Sequence, residues 1–359
     1  MDYGVPQGSI LGPLLFVIYI NDIPNISDFA KFILYADDAN IILTANTIAE
    51  INSQLETLIF NLQQWVASNG LALNLKKTKY MIFSRARDIE LPQPLFISGT
   101  PIDRVREARF LGVIIDESLS WSKHITTVQS KMARYVGILY KIKKYLPLKA
   151  RIQIYHSLIQ SHVNYCSLVW GFSTKSCIEK IFTKQKKGLR AVIPGFINYK
   201  YKDGKIPGHT KKFFLEYKIL TVHSIIAINT LIFMQKIINY PSLVPPSIIK
   251  TISKDSPTPE STHESCEEWL TKYNNSQYNK SIFFKGPLIL SDFSNNINLP
   301  PESYKRIKLY KNNIKQAFLT IQSSGEPCDW HSSNFLLYNI TGLRKSCATY
   351  RKPVNYIDQ

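Results

Sequence analysis

Two adjacent carboxylates between two short apolar runs constrain this chain more than any other feature of its sequence. Asp37 and Asp38 follow the apolar residues 32–35 and precede the run at residues 41–43. Runs this short and this apolar are typical of buried strands, and the residues between them predict a tight turn. Neighbouring like charges repel unless a cation binds them, and Mg²⁺ prefers carboxylate oxygens. The stretch therefore predicts a β-hairpin with a magnesium site at its tip, or alternatively a solvated Asp-Asp turn on a surface hairpin.

Three further stretches, one before this hairpin and two after it, form an ordered set with it. Residues 4–22 begin Gly/Pro-rich and continue as an apolar run, in which Pro13 fits a first helical turn. Residues 70–84 combine a lysine-bearing loop with a short apolar run. Residues 110–116 read Phe-Leu-Gly-Val-Ile-Ile-Asp and are followed by Trp121 and His124.

In this order the four stretches resemble motifs B, C, D and E of the reverse transcriptases of non-LTR retrotransposons, in particular the jockey-like group. The resemblance is dense from residue 4 to about 126 and looser to about 240. It implies an α+β fold, with a partial polymerase palm (an antiparallel sheet with packed helices) followed by a mostly α-helical thumb and C-terminal region. It also implies an RNA-directed DNA polymerase that takes an RNA template, a DNA primer and dNTP substrates, with two Mg²⁺ ions as cofactors.

The resemblance assigns a role to each matching residue. Asp37 and Asp38 would hold the metal ions for two-metal nucleotidyl transfer, and Tyr35 would support the hairpin and contact the primer-template end. Lys77 would protonate the leaving pyrophosphate. The alternative interpretation of Lys77 is a solvated lysine in a basic loop. The template base and incoming nucleotide would lie over Pro6, Gln7, Gly8 and Ser9. The 3′ end of the primer would be held by Phe110, Leu111 and Gly112.

One element of the family pattern has no counterpart in this sequence. Family members need a motif A aspartate on a strand upstream of motif B, and Asp2 is in the wrong place to be that residue. The resemblance therefore implies the C-terminal part of a reverse transcriptase, lacking motif A, the fingers and any N-terminal endonuclease. We expect little or no polymerase activity from the chain alone, and a degenerate element copy is also compatible with this sequence.

Positive charge is concentrated in one block of the chain. Residues 123–218 hold 20 Lys and Arg against 3 Asp and Glu, a net +17 of the chain's +18. Such a field suggests a polyanion, with nucleic acid the leading partner and a membrane surface or plainly scattered lysines as alternatives. The block supports a second hypothesis, a non-catalytic nucleic-acid-binding fragment. The predicted backbone contacts are Lys131, Arg134, Lys184, Lys186, Lys187 and Arg190.

Composition and resemblance divide the chain into four parts: a partial palm at residues 1–122, a basic helical thumb and connection region at 123–240, a linker at 241–268 and a poorly defined region at 269–359. Hydrophobic periodicity predicts a helix from Thr47 to Gly70 that packs on the back of the sheet. Later helices are predicted from residue 123, over 147–163, 176–192 and 301–321, and as a pair within 209–238. Strands are predicted at 80–83 and 110–115, and a hairpin around Gly99 pairs 96–97 with 102–105.

The remaining features exclude other classes of protein. Five irregularly spaced cysteines fit free thiols in a reducing compartment, so we expect an intracellular protein, cytoplasmic and nuclear. Cys328, His331 and Cys347 lack a clear fourth zinc ligand. No N-terminal signal pattern is visible, and polar residues interrupt the apolar stretch 219–238, which predicts a buried helix rather than a membrane span.

Overall fold

The computed structural model describes residues 8–84, 89–193, 210–240, 242 and 307–323. The chain forms two compact units, Met1–Ala108 and Arg109–Gln359. Apart from residue 242, the predicted linker at 241–268 lies outside the described residues, as do the zinc candidates and most of the region 269–359.

The first unit holds two longer helices and several short strands. Its elements in chain order are α1 (Leu11–Tyr19), a 3₁₀ turn (Ile23–Ile26), β1 (Lys31–Tyr35), β2 (Asp38–Ile42), α2 (Ile48–Ser68), β3 (Lys79–Tyr80), β4 (Phe96–Ile97), β5 (Thr100–Pro101) and β6 (Asp103–Arg104).

The predicted hairpin and the helix that follows it form the core of this unit. Strands β1 and β2 pair antiparallel, with Phe32 opposite Ile41 and Leu34 opposite Ala39. Phe32, Leu34 and Ile41 pack with Leu62 and Val66 of α2, as expected from its apolar stripe. Burial of these side chains on one face fixes the strand register, because a slip of one residue would turn them outward.

The N-terminus of α2 follows the predicted capping pattern with one difference. Thr47 Oγ1 accepts a hydrogen bond from the Glu50 backbone N–H at 3.2 Å. The Glu50 carboxylate accepts from the N–H of Asn46 at 3.1 Å, one residue before the position that a standard capping box uses. Gly70, with φ of 60°, follows the end of the helix.

The predicted single antiparallel sheet is wrong for the described residues, which form four separate two-stranded ladders. The strand predicted at 80–83 is shortened to β3, which pairs in parallel with β6. Residues 96–97 pair with 100–101 instead of 102–105, because Ser98 and Gly99 both have positive φ and close a two-residue turn. The unit is thus a mixture of helices and small sheets.

The second unit is mostly helical. A hairpin of β7 (Glu107–Phe110) and β8 (Val113–Asp116) begins at the boundary between the units. The helices that follow are α3 (Ser122–Ile142), α4 (Leu148–Tyr155), a π-helical turn (His156–Gln160), α5 (Ser161–Asn164), α6 (Ser167–Trp170), α7 (Lys175–Val192), α8 (Lys211–Glu216), α9 (Val222–Asn239) and α10 (Ile307–Ser323).

One hydrophobic core joins these helices. Helix α3 lies along α7, and α9 contacts α6, α7 and α10. Met132, Tyr155, Trp170 and Leu231 are among its fully buried side chains. Helix α9 is long and apolar enough to cross a membrane, but 67% of its most apolar window is buried inside the protein. This burial is what a core helix of the unit shows, in line with the sequence prediction.

Candidate functional site

The two carboxylates lie where the sequence predicts, at the tip of the β1–β2 hairpin. Ala36 and Asp37 form a two-residue turn, and Asp38 is the first residue of β2, directly opposite Tyr35. Ala36 has φ of 51°, a left-handed conformation that closes this kind of tight turn. Directly opposed residues share a face, so Tyr35 and Asp38 project from the face of the hairpin that α2 does not cover.

The hairpin presents these carboxylates to solvent. Asp37 and Asp38 are both exposed, and neither takes part in an ion pair between described residues. Packing of the opposite face on α2 holds the turn in place. The donor set fits Mg²⁺, which usually takes one or two protein carboxylates together with substrate phosphates. Within the described ranges, no cluster of three or more His, Cys, Asp or Glu side chains is present.

Motif B is described only in part, since Pro6 and Gln7 lie outside the described residues. Gly8 is exposed with φ of 87°, and Ser9 Oγ accepts a hydrogen bond from the Gly12 N–H at 3.1 Å. Ser9 therefore satisfies a free N–H group at the start of α1. Helix α1 contains no buried side chain, and its exposed apolar residues include Leu11, Leu14, Leu15 and Ile18.

The candidate lysine of motif D lies in a turn shortly after α2. The Lys77 N–H donates to the Asn74 carbonyl at 3.0 Å, and its side chain is exposed. Lys79, two residues later, instead forms an ion pair with Asp103 across the β3–β6 ladder. Of these two lysines, Lys77 is therefore the one without a salt bridge to a described carboxylate.

The strand predicted at 110–115 is wrong, because the chain turns in the middle of it. Phe110 ends β7, and Leu111 and Gly112 form a two-residue turn with φ of 44° and 79°. Positive φ at both positions is the geometry of a type I′ hairpin turn and is incompatible with a strand. We call Leu111 and Gly112 the primer-grip turn. Tyr165 Oη donates to the Leu111 carbonyl at 2.5 Å, a contact that no local sequence pattern predicts.

The end of the same hairpin is fixed to α3 by residues whose roles sequence reasoning missed. Asp116 accepts hydrogen bonds from the N–H groups of Ser118, Ser120 and Trp121. Burial raises the pKa of Asp116, but the hydrogen bonds from backbone N–H groups and from the hydroxyls of Ser118 and Ser120 outweigh burial and leave this pKa below its ordinary value. The signal in the sequence is an aspartate followed by closely spaced serines, which favours such turns.

His124 makes the second connection between the hairpin and α3. His124 is buried, and its Nδ1 accepts a hydrogen bond from the Ile114 N–H at 3.3 Å. Burial, with Lys131 and Arg109 nearby, lowers the pKa of His124. An accepting Nδ1 requires the neutral imidazole, so the lowered pKa and the hydrogen bond agree.

The predicted backbone contacts lie on different faces of two helices. On α3, Lys131 and Arg134 lie away from the buried stripe that contains Met132. On α7, Lys180 and Lys187 are exposed and Lys184 is half-buried, and spacings of four and three residues bring all three to one side of the helix, which we call its outer face.

Lys186 has a different environment from the other predicted contacts. Its Nζ lies 4.3 Å from the centroid of the Phe182 ring. Burial lowers the pKa of Lys186, the Glu179 carboxylate opposes this shift, and Arg190 adds to it. Lys186 thus lies on the side of α7 where Phe182 contacts Phe214 and His223. Arg190 is half-buried near the C-terminal end of the same helix.

Residues 2–115 match the family described as reverse transcriptase (RNA-dependent DNA polymerase). The chain is 28% identical over 197 residues to a probable RNA-directed DNA polymerase from transposon X-element of Drosophila melanogaster, covering 53% of this chain and 21% of that protein. It is 29% identical over 203 residues to the RNA-directed DNA polymerase from mobile element jockey of Drosophila funebris, covering 54% and 22%. The match thus spans about a fifth of these curated relatives, and no solved structure matches the chain.

Proposed function

We infer that this chain works as part of an RNA-directed DNA polymerase, because residues 2–115 belong to the reverse transcriptase family and its curated relatives are non-LTR retrotransposon enzymes. The observation that carries the proposal is the solvent-exposed pair Asp37 and Asp38 on a turn held by packing against α2. Its substrates would be a DNA primer, an RNA template and dNTPs.

Asp37 and Asp38 would hold two Mg²⁺ ions, which when bound neutralise charge on the attacking 3′-oxygen and the leaving pyrophosphate. Asp37, in the turn itself, is the first choice of ligand and Asp38 the second. Tyr35 projects beside Asp38 and would contact the primer-template end. Lys77, exposed in its loop, would donate a proton to the pyrophosphate.

Activity of this site would need a third carboxylate from a further strand. Strands β1 and β2 pair only with each other among the described strands. Ile33 and Tyr35, on the face away from α2, are exposed. An isolated two-stranded hairpin is marginal in water unless another strand or helix covers it. A strand carrying a motif A aspartate would supply both a pairing partner for the hairpin and a third carboxylate.

Primer extension on an RNA template with Mg²⁺ tests this proposal. The 359-residue chain is compared with a chain extended at its N-terminus by a segment that carries motif A. We expect incorporation by the extended chain only, reduced to background by Asp37→Ala and unchanged by Asp28→Ala, a control at another exposed aspartate of the same unit.

Two outcomes would contradict the proposal. Template-dependent incorporation by the 359-residue chain, abolished by Asp37→Ala, would show that the site is complete without motif A. An extended chain that retains full activity after Asp37→Ala would show that the carboxylate pair is not the metal site.

A second function is favoured by the charge of the helical unit. The sequence has no Asp or Glu between Glu117 and Glu179. Because this stretch lacks acidic residues and basic residues lie on the outer faces of α3 and α7, the alternative to a polymerase is a non-catalytic nucleic-acid-binding role for residues 123–218. It predicts RNA binding that salt weakens steeply and that Asp37→Ala leaves unchanged, whereas binding insensitive to salt would exclude it.

A further inference from the structure

A single tyrosine from the helical unit holds the primer-grip turn from outside the hairpin. Tyr165 Oη donates to the Leu111 carbonyl at 2.5 Å, across 54 residues of sequence. The Tyr165 ring also lies against Gly112, where a Cβ would meet its Cε1 and Oη at 3.3 Å. Both residues of the turn are therefore in direct contact with one side chain.

The turn needs such a contact because its first residue is not suited to it. Leu111 has φ of 44°, a left-handed conformation that L-residues with a large side chain disfavour. Type I′ turns prefer Asn, Asp or Gly at this position. Since local sequence does not favour the observed turn, a tertiary contact must help to select it, and the hydrogen bond to Leu111 is in the right place.

Tyr165 is itself fixed to the core of the unit. Its backbone carbonyl accepts a hydrogen bond from Trp170 Nε1 at 2.8 Å, and Trp170 is fully buried. Cys166, which directly follows Tyr165 between α5 and α6, has φ of 49°, a left-handed conformation. Half of the Tyr165 side chain stays exposed, so its position results from this anchoring rather than from burial.

We propose that Tyr165 is a positioning residue that sets the conformation of the primer-grip turn and thereby the place of the primer's 3′ end. The proposal rests on the proposed function, in which Phe110, Leu111 and Gly112 hold that end. Tyr165 acts through the Leu111 carbonyl and the surface of Gly112.

The test uses the full 359-residue chain and Tyr165→Phe, which removes the hydroxyl and keeps the ring. Tyr145→Phe, at a tyrosine that is 84% exposed, is the matched control. Amide hydrogen exchange of residues 107–116 reports on the hairpin itself. Loss of one hydrogen bond at a strained turn should speed exchange there by about tenfold in Tyr165→Phe only.

A second readout separates positioning from folding. A DNA primer on an RNA template is digested by a 3′→5′ exonuclease, and protection of the last primer nucleotides is measured beside duplex affinity and thermal unfolding. We expect Tyr165→Phe to lose protection of the 3′ end while duplex affinity stays within about twofold, since affinity comes mainly from phosphate contacts.

Each remaining outcome refutes a definite part of the inference. Unchanged exchange in Tyr165→Phe would show that the hydroxyl does not set the turn. Faster exchange with full protection would show that the turn does not position the primer. Absence of protection with the unsubstituted chain would refute the proposed primer contact, and faster exchange in Tyr165→Phe would then report a purely structural connection.

Discussion

Neutralising the outer face of α7 should reduce the salt dependence of nucleic-acid binding by a calculable amount. The substituted residues are Lys180, Lys184 and Lys187, which share one side of the helix. Lys186 is left in place, because its ammonium lies over the Phe182 ring and replacing it would change packing as well as charge. Glutamine is the replacement, since its helix propensity is close to that of lysine.

The expected magnitude follows from counterion release. Each phosphate contact contributes about 0.7 (single strand) to 0.9 (duplex) to the slope of log affinity against log salt concentration. If all three lysines contact phosphates, the slope should fall by roughly 2 to 3. Raising salt fourfold should then weaken binding by the unsubstituted chain about 20- to 40-fold more than binding by the variant.

Fluorescence anisotropy with a labelled RNA and with an RNA–DNA duplex, at several salt concentrations, measures this slope. The control carries the same change of charge on an exposed face of α10, at Lys308, Lys311 and Lys315. We expect the control to change the slope by less than half as much. An unchanged slope in the α7 variant, or equal changes in both variants, would refute a phosphate-binding face on α7.

Three further predictions concern stability. Ala36→Gly should raise the unfolding free energy of the first unit by about 0.5–1 kcal/mol in urea denaturation, because glycine adopts the φ of 51° without strain, and a loss of stability would contradict this. Met132→Ala should cost about 3 kcal/mol because the side chain is fully buried, whereas Ile138→Ala on the same helix, 44% exposed, should cost less than about 1 kcal/mol. Burial lowers the pKa of His124, so the unfolded chain binds more protons than the folded chain on acidification, and the unfolding free energy should fall as pH drops below about 6.5. His124→Asn keeps an acceptor for the Ile114 N–H and should lose less unfolding free energy between pH 7.5 and 5.5. Equal losses in the variant and the unsubstituted chain would exclude this histidine as the cause.

The parts of the fold that sequence could predict are those decided by neighbours in the chain. Two short apolar runs, the Asp-Asp stretch between them and an amphipathic helix with Thr47 at its start are enough to predict β1, β2 and α2. The carboxylate pair is predicted for the same reason, since both residues lie in the short stretch between the two apolar runs. Helix α7 begins one residue before its predicted start and ends at its predicted end, and α8 and α9 form the pair predicted within 209–238, with α9 ending one residue beyond it.

The parts of the fold that were predicted wrongly are decided by contacts between residues distant in the sequence. The apolar run through Leu111 looks like a strand in the sequence. The contact that accompanies the observed turn is a hydrogen bond to the Leu111 carbonyl from Tyr165, 54 residues later in the chain. The short strands β3 and β6 pair in parallel, and each is only two residues long, too short for periodicity to reveal its partner. No pattern within either segment carries that information.

The basic residues of α7 also differ in ways that a count of charges from the sequence does not reveal. The count of basic residues in 123–218 treats Lys184 and Lys186 alike. Helix geometry separates them, because only Lys184 lies on the face with Lys180 and Lys187, while Lys186 lies over an aromatic ring beside a carboxylate. A phosphate must compete with Phe182 and Glu179 for Lys186, whereas it meets the outer lysines directly. Hence a substitution at Lys186 should alter the packing of α7 before it alters the salt slope, and the net charge of the block overstates the number of lysines available to nucleic acid.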